Sequence, residues 1–203
     1  MKSIKYFFTL TLLLSLINIS FNSSVSFSQF GQNKVQYKEF KWKFIQSKHF
    51  DIYFSQGGEY LAEFTATAAE SSLAALTHNL DYSIESRIMI AVFNSHNDFQ
   101  QNNILDEYLP EGVGGVTELF KNRVLVPFEG NYDLFRHVIH HELLHAFMND
   151  MYYGGSFQNI ISKNISLSFP GWFNEGMAEV QSLYGLDKKT DMFMRDAVIN
   201  NYV

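Results

Sequence analysis

The stretch Asp133-Leu134-Phe135-Arg136-His137-Val138-Ile139-His140-His141-Glu142-Leu143-Leu144-His145-Ala146-Phe147-Met148 decides how this chain is read. Asn131 or Asp133 supplies a cap before it and Gly154-Gly155 a stop after it, so a long helix is expected to about Met151. Leu134, Val138, His141, His145 and Met148 share one stripe of that helix. Leu143, Leu144, Ala146 and Phe147 cover much of the remainder, which predicts a largely buried helix. Buried imidazoles without partners are costly, and a metal ion supplies a partner. Residues i and i+4 project from one helix face one turn apart. His141 and His145 can therefore share one ion, at about 2.0–2.1 Å each for zinc. Glu142, one residue on, reaches a water held there rather than the ion, which is the position of a general base. His137 and His141 offer a competing i, i+4 register, but no Glu follows His137. The 141/145 pair is preferred, and His137 and His140 are read as supporting, surface or packing residues. His49, His78 and His96 have no partner pattern.

A zinc site that does chemistry needs a third protein ligand and an open position. Pro170-Gly171 precedes a second helix, Trp172 to Leu183, containing Trp172-Phe173-Asn174-Glu175-Gly176-Met177-Ala178-Glu179. Glu175 and Glu179 are i, i+4, so both carboxylates face one way. One can bind zinc, and the other can accept a hydrogen bond from the free ring nitrogen of a ligating His. Gly176 costs helix stability, about 1 kcal/mol against Ala, and a close approach to the His-bearing helix is expected to offset it.

Upstream, Trp42 to Ile45 and His49 to Phe54 read as short strands around a turn at Ser47-Lys48, the second ended by Gly57-Gly58. Glu59 to Leu80 is an Ala-rich, Pro-free amphipathic helix. Ile88 to Phe93 is a buried strand, and Asn94 or Ser95 caps a short helix to about Asn103. Val116 to Phe120, a turn at Lys121-Asn122 and Arg123 to Phe128 form a strand and its return. Strands come early and helices late, which suggests an α+β domain rather than a regular βαβ alternation.

Composition narrows the functions available. The 203 residues are 46% hydrophobic and 16% aromatic, enough for one domain with a core and too apolar for disorder. The net charge of −6 argues against nucleic acid as a partner. Cys is absent, which excludes disulfides, thiolate metal sites and thiol catalysis, so a metal must be held by His and carboxylates. Lys2 and Lys5, the apolar run Tyr6 to Ile19 and small Ser26 and Ser28 follow the plan of a secretory signal peptide. Cleavage is expected after Ser28, giving residues 1–28 as signal and 29–203 as the domain. The run of about 14 residues is short of the roughly 20 that span a bilayer, and no later run is long enough. The mature chain is expected to be periplasmic or extracellular, with no integral membrane segment.

The HELLH stretch followed by W-F-N-E-G-M-A-E resembles the gluzincin branch of zinc metallopeptidases, in particular peptidase MA-like domains of bacterial exported proteins and aminopeptidase N-like enzymes. The resemblance implies a zincin-like α+β fold, a mixed N-terminal sheet packed on the His-bearing helix with a helical C-terminal part. It implies one zinc ion on His141, His145 and Glu175, with Glu179 supporting a ligand and Glu142 as general base. The reaction implied is hydrolysis of peptide bonds in a peptide or protein substrate. An antiparallel edge strand would border the cleft, either Gly114 to Leu119 or Val124 to Phe128, and pair with an extended peptide. The stretch between His145 and Glu175 is longer than in aminopeptidase N-like enzymes, so Tyr152 to Phe169 reads as an insertion. No G-x-M-E-N exopeptidase motif is present, which leans the reading to an endopeptidase. Tyr152, Tyr153 and Tyr184 are candidate oxyanion donors. Asp191 to Tyr202 reads as a terminal helix with Phe193, Met194, Ala197 and Val198 apolar. Little chain follows Glu175, so the domain is expected to be truncated, its remainder a helical subdomain or a propeller. A second reading makes the chain a zinc-binding scaffold or interaction module of a larger propeller-containing exported protein.

Overall fold

The alternation of apolar residues in Phe50-Asp51-Ile52-Tyr53-Phe54 sends three side chains to one face of a strand, and all three are buried. The computed structural model, which describes residues 34–105, 109–154, 169–183 and 188–202, builds a five-stranded mixed sheet around that strand. The expected signal segment 1–28, most of the expected insertion and Tyr184 lie outside the described residues. The elements run β1 (Lys43–Gln46), β2 (Phe50–Phe54), α1 (Glu59–Leu80), β3 (Ile88–Phe93) and α2 (His96–Gln100). They continue as β4 (Val116–Glu118), β5 (Arg123–Pro127), α3 (Tyr132–Tyr153), α4 (Gly171–Leu183) and α5 (Lys188–Ile199).

The spatial order is β1-β2-β3-β5-β4. The outer pairs β1/β2 and β4/β5 are antiparallel, and the inner pairs β2/β3 and β3/β5 are parallel. The fold is thus mixed α+β, as expected. The strands-then-helices order of the sequence nevertheless conceals a β2–α1–β3 crossover. Ile52, Ile90 and Val124 lie side by side across the inner strands.

Strand β3 is apolar at every position because both of its faces are covered. On one face Ile88, Ile90 and Val92 pack with Leu73 and Leu76 of α1 and with Ile139, Leu143 and Phe147 of α3. On the other, Ala91 and Phe93 meet Leu125 of β5 and Phe99 of α2. Fully burying an aliphatic or aromatic side chain of this kind contributes about 1.5–3 kcal/mol. Arg87, just before β3, fixes the β1–β2 turn: its guanidinium donates to Asp51 Oδ1 at 3.0 Å and to the carbonyl of Lys48 at 2.8 Å.

Local signals set the helix ends. Asn131 Oδ1 accepts from the backbone N–H of Asp133 and Leu134, so Asn131 is the cap of α3. At the other end Gly154 takes the left-handed conformation, φ 58°. Ser95 caps α2 by accepting from Asp98 N–H. Helix α3 is not buried all round: Leu134 is exposed, and the flank bearing His141 and His145 opens into a cleft. Helix α5 buries Ala197 but leaves Phe193, Met194 and Val198 exposed. Among the described residues no helix is long and apolar enough to cross a membrane.

Candidate metal centre

Helix α3 runs along the β4/β5 hairpin, and two side-chain hydrogen bonds tie the two together. Asn122 Nδ2, from the turn, donates to the carbonyl of Ala146 at 2.9 Å. Thr117 Oγ1, on β4, lies 2.8 Å from Glu142 Oε2 and 2.8 Å from the Glu142 carbonyl. The hairpin is itself locked by Glu118, whose carboxylate accepts from Phe120 N–H, Lys121 N–H and Arg123 Nε. Asn122, at φ 49°, makes the tight turn. Strand β4 is the edge strand on the cleft side of the sheet, β1 being the opposite edge. Gly114 to Leu119 therefore holds the edge position, whereas Val124 to Phe128 does not: β5 is paired on both sides.

Between β4, α3 and α4 lies a cleft of about 820 Å³. Gly114, Gly115 and Thr117 line one side, His141, Glu142 and His145 the floor, and Glu175 and Glu179 the far wall. The helical spacing and the approach of α4 converge three donor atoms. His141 Nε2 and His145 Nε2 are 3.2 Å apart, and Glu175 Oε2 lies 3.4 Å from the first and 3.5 Å from the second. Charge-assisted hydrogen bonds run about 2.7–2.9 Å, so the carboxylate is not seated on either imidazole. Four ligands placed tetrahedrally at the usual zinc distances are separated by about 3.3 Å. The three edges match that value, so these residues could hold one shared metal ion.

Electrostatics agree with the fit. Burial, and then the neighbouring His145, hold the His141 pKa below its ordinary value, against the opposing pull of Glu179 and Glu175. Metal binding requires the neutral imidazole that this favours. Buried His140, at the back of the helix, is pushed down to about 4 by burial and the adjacent His137 and His141. Burial pushes Glu142 up to about 7, with Thr117 opposing and the Glu175 charge adding. Neither the comparison with protein-family models nor that with curated proteins found a match for this chain.

Glu179 is placed on the other ring nitrogen of His141, with Oε1 3.8 Å from Nδ1, on the side expected of a residue that supports a ligand. Gly176 departs from expectation. A Cβ built there meets no heavy atom within 4 Å, so it faces open space and not α3. The close approach occurs at Gly115, where a Cβ would lie 2.9 Å from Glu142 Cγ and 3.0 Å from Val138 Cγ1. Sequence reasoning singled out neither Gly115 nor Thr117 as a site residue. The available signal was a Gly-Gly pair directly before a strand, which marks close backbone approach. Tyr152 and Tyr153 do reach the cleft, and Tyr152 Oη donates to Asn174 Oδ1 at 3.3 Å. His49 and His96 have local carboxylate partners, Glu70 and Glu129, away from the cleft.

Proposed function

We propose that this protein is an exported zinc-dependent metallopeptidase of gluzincin type, with a peptidase MA-like domain in a zincin-like fold, acting as an endopeptidase on peptide or protein substrates. The observation that carries the reading is the convergence of His141, His145 and Glu175 at zinc-ligand spacing beside a buried Glu142. The two imidazoles and the Glu175 carboxylate would hold the ion. A zinc ion bound there supplies Lewis acidity, polarising a carbonyl and making a water acidic enough to be deprotonated near neutral pH.

The remaining chemistry belongs to the chain. Glu142 accepts the proton of the attacking water and passes it to the leaving amine. Its burial favours a base poised near neutrality over a permanently charged carboxylate. Thr117 Oγ1 sits on one carboxylate oxygen and restricts how the base turns. The free rim of β4, above Gly114 and Gly115, can pair with an extended substrate and present its backbone to Glu142. Tyr152 and Tyr153 are candidates for stabilising the developing oxyanion.

The test is casein hydrolysis by zinc-loaded protein, run beside Glu142→Gln. The variant is expected to keep zinc at the His141, His145 and Glu175 site and to lose hydrolysis by a factor of about 10²–10⁴ or more. Full zinc content without wild-type hydrolysis would point instead to the zinc-binding scaffold reading. Hydrolysis by Glu142→Gln at the wild-type rate would sink the mechanism.

A further inference from the structure

The proposed zinc site uses one face of His141 and one oxygen of Glu175, with one oxygen of Glu179 turned to His141, and gives no role to His137 or to the second oxygen of Glu179. His137 lies one turn before His141 on α3, and its Nε2 is 3.6 Å from Glu179 Oε2. The other oxygen of the same carboxylate, Oε1, is the one that faces His141 Nδ1. His137, His141 and Glu179 each bring a donor atom within 4.8 Å of the others.

We infer that His137 and Glu179 form a second, weaker binding site for a divalent transition cation, directly beside the first. The inference rests on the zinc reading of His141, His145 and Glu175. If His141 gives Nε2 to the first ion, its Nδ1 carries the proton and is turned to Glu179 Oε1. Glu179 Oε2 and His137 Nε2 are then left facing each other 3.6 Å apart. That is too long for a direct hydrogen bond and close to the separation of two ligands on one ion. One imidazole and one carboxylate suit zinc, cobalt or manganese, and not the all-oxygen preference of calcium or magnesium. The site lies open on the cleft, where water can complete the coordination. It is the weaker of the two because it has two protein ligands instead of three, and because its neighbour carries the same sign of charge.

The experiment is calorimetric titration of the tag-free, metal-stripped chain with zinc chloride, read as stoichiometry and affinity independently of any hydrolysis. The wild type is expected to bind in two steps, the second at least tenfold weaker. His137→Ala is expected to lose the second step and keep the first within about threefold, whereas Glu175→Gln should lose the first. If His137→Ala alters the circular dichroism spectrum, His137→Gln, closer in volume, is read in its place. A single step abolished by Glu175→Gln and untouched at His137 overturns the second site and leaves the zinc reading standing. A single step abolished at His137 and untouched by Glu175→Gln overturns both. Two steps that both survive the His137 change also overturn the second site.

Discussion

Gly115→Ala adds one methyl group where edge strand and helix are closest, and its effect follows from three distances. The new Cβ would sit 2.9 Å from Glu142 Cγ, 3.0 Å from Val138 Cγ1 and 3.1 Å from Glu142 Oε1. Carbon atoms pack best at about 3.5–4.0 Å, so at least half an ångström must be found. Glu142 cannot simply swing away, since it is buried and Thr117 holds its carboxylate. Either β4 lifts off α3 or the Glu142 side chain is displaced. Overpacking of this kind costs about 1–3 kcal/mol. A base moved by up to 1 Å loses as much as about 10²-fold in turnover. Gly114→Ala is the control, because its Cβ meets only Val138 Cγ2, at an ordinary 3.5 Å. Thermal melting and casein turnover of the two variants, at matched zinc content, read the difference. The expected result is a lowered Tm and a 10–100-fold lower rate for Gly115→Ala, and near wild-type behaviour for Gly114→Ala. Equal tolerance of both alanines would refute the reasoning.

Glu179→Gln should weaken zinc affinity at the tight site by about 10–100-fold without abolishing it, as measured by competition with a chelator. If it eliminated that site while Glu175→Gln did not, the two carboxylates would exchange roles. A pH effect is expected at Glu70. Burial raises its pKa, but the Ser47 hydroxyl at 2.6 Å, the His49 ring and the His49 N–H outweigh that and hold it below the ordinary carboxylate value. A depressed folded-state pKa contributes stability that is present above the unfolded value of about 4.3 and is lost as pH falls through the folded one. Glu70→Gln should therefore destabilise the protein at neutral pH and flatten the acid limb of its stability curve. Parallel acid limbs for variant and wild type in urea titrations would remove Glu70 from that account.

The parts of the site legible in the sequence were those fixed by helical geometry. His141 and His145 must share a face once α3 is a helix, and Glu175 and Glu179 must do the same on α4. Asn131 and Gly154 bound α3 through caps that act within a few residues, which is why local reasoning found them. Which element meets which face is a tertiary matter. Gly176 breaks helix propensity, and nothing in its own helix says whether that break faces a neighbour. Gly115 presses on Glu142 only because β4 is laid along α3 by the Asn122 and Thr117 hydrogen bonds. The parallel pairing of β2 with β3 was hidden for a similar reason. A strand buried on both faces reads as a continuous apolar run, which does not reveal its direction.

That pairing also governs how the chain reaches its native state. Strands β1 and β2, like β4 and β5, are joined by tight turns and can zip as local hairpins. Strand β3 must instead be threaded between β2 and β5, and each pairing closes a loop containing a whole helix. Loop-closure entropy is spent before such distant contacts return anything, which slows the search. Refolding is therefore expected in milliseconds to seconds, with β3 insertion as the committing step. Stopped-flow refolding complete within microseconds, or a rate indifferent to Ile90→Val, would show that the bottleneck lies elsewhere. Helix α3 packs on β4 and β5 of the sheet that β3 completes, and α4 packs on α3, so the donor atoms of the cleft assemble late, after the topology is decided.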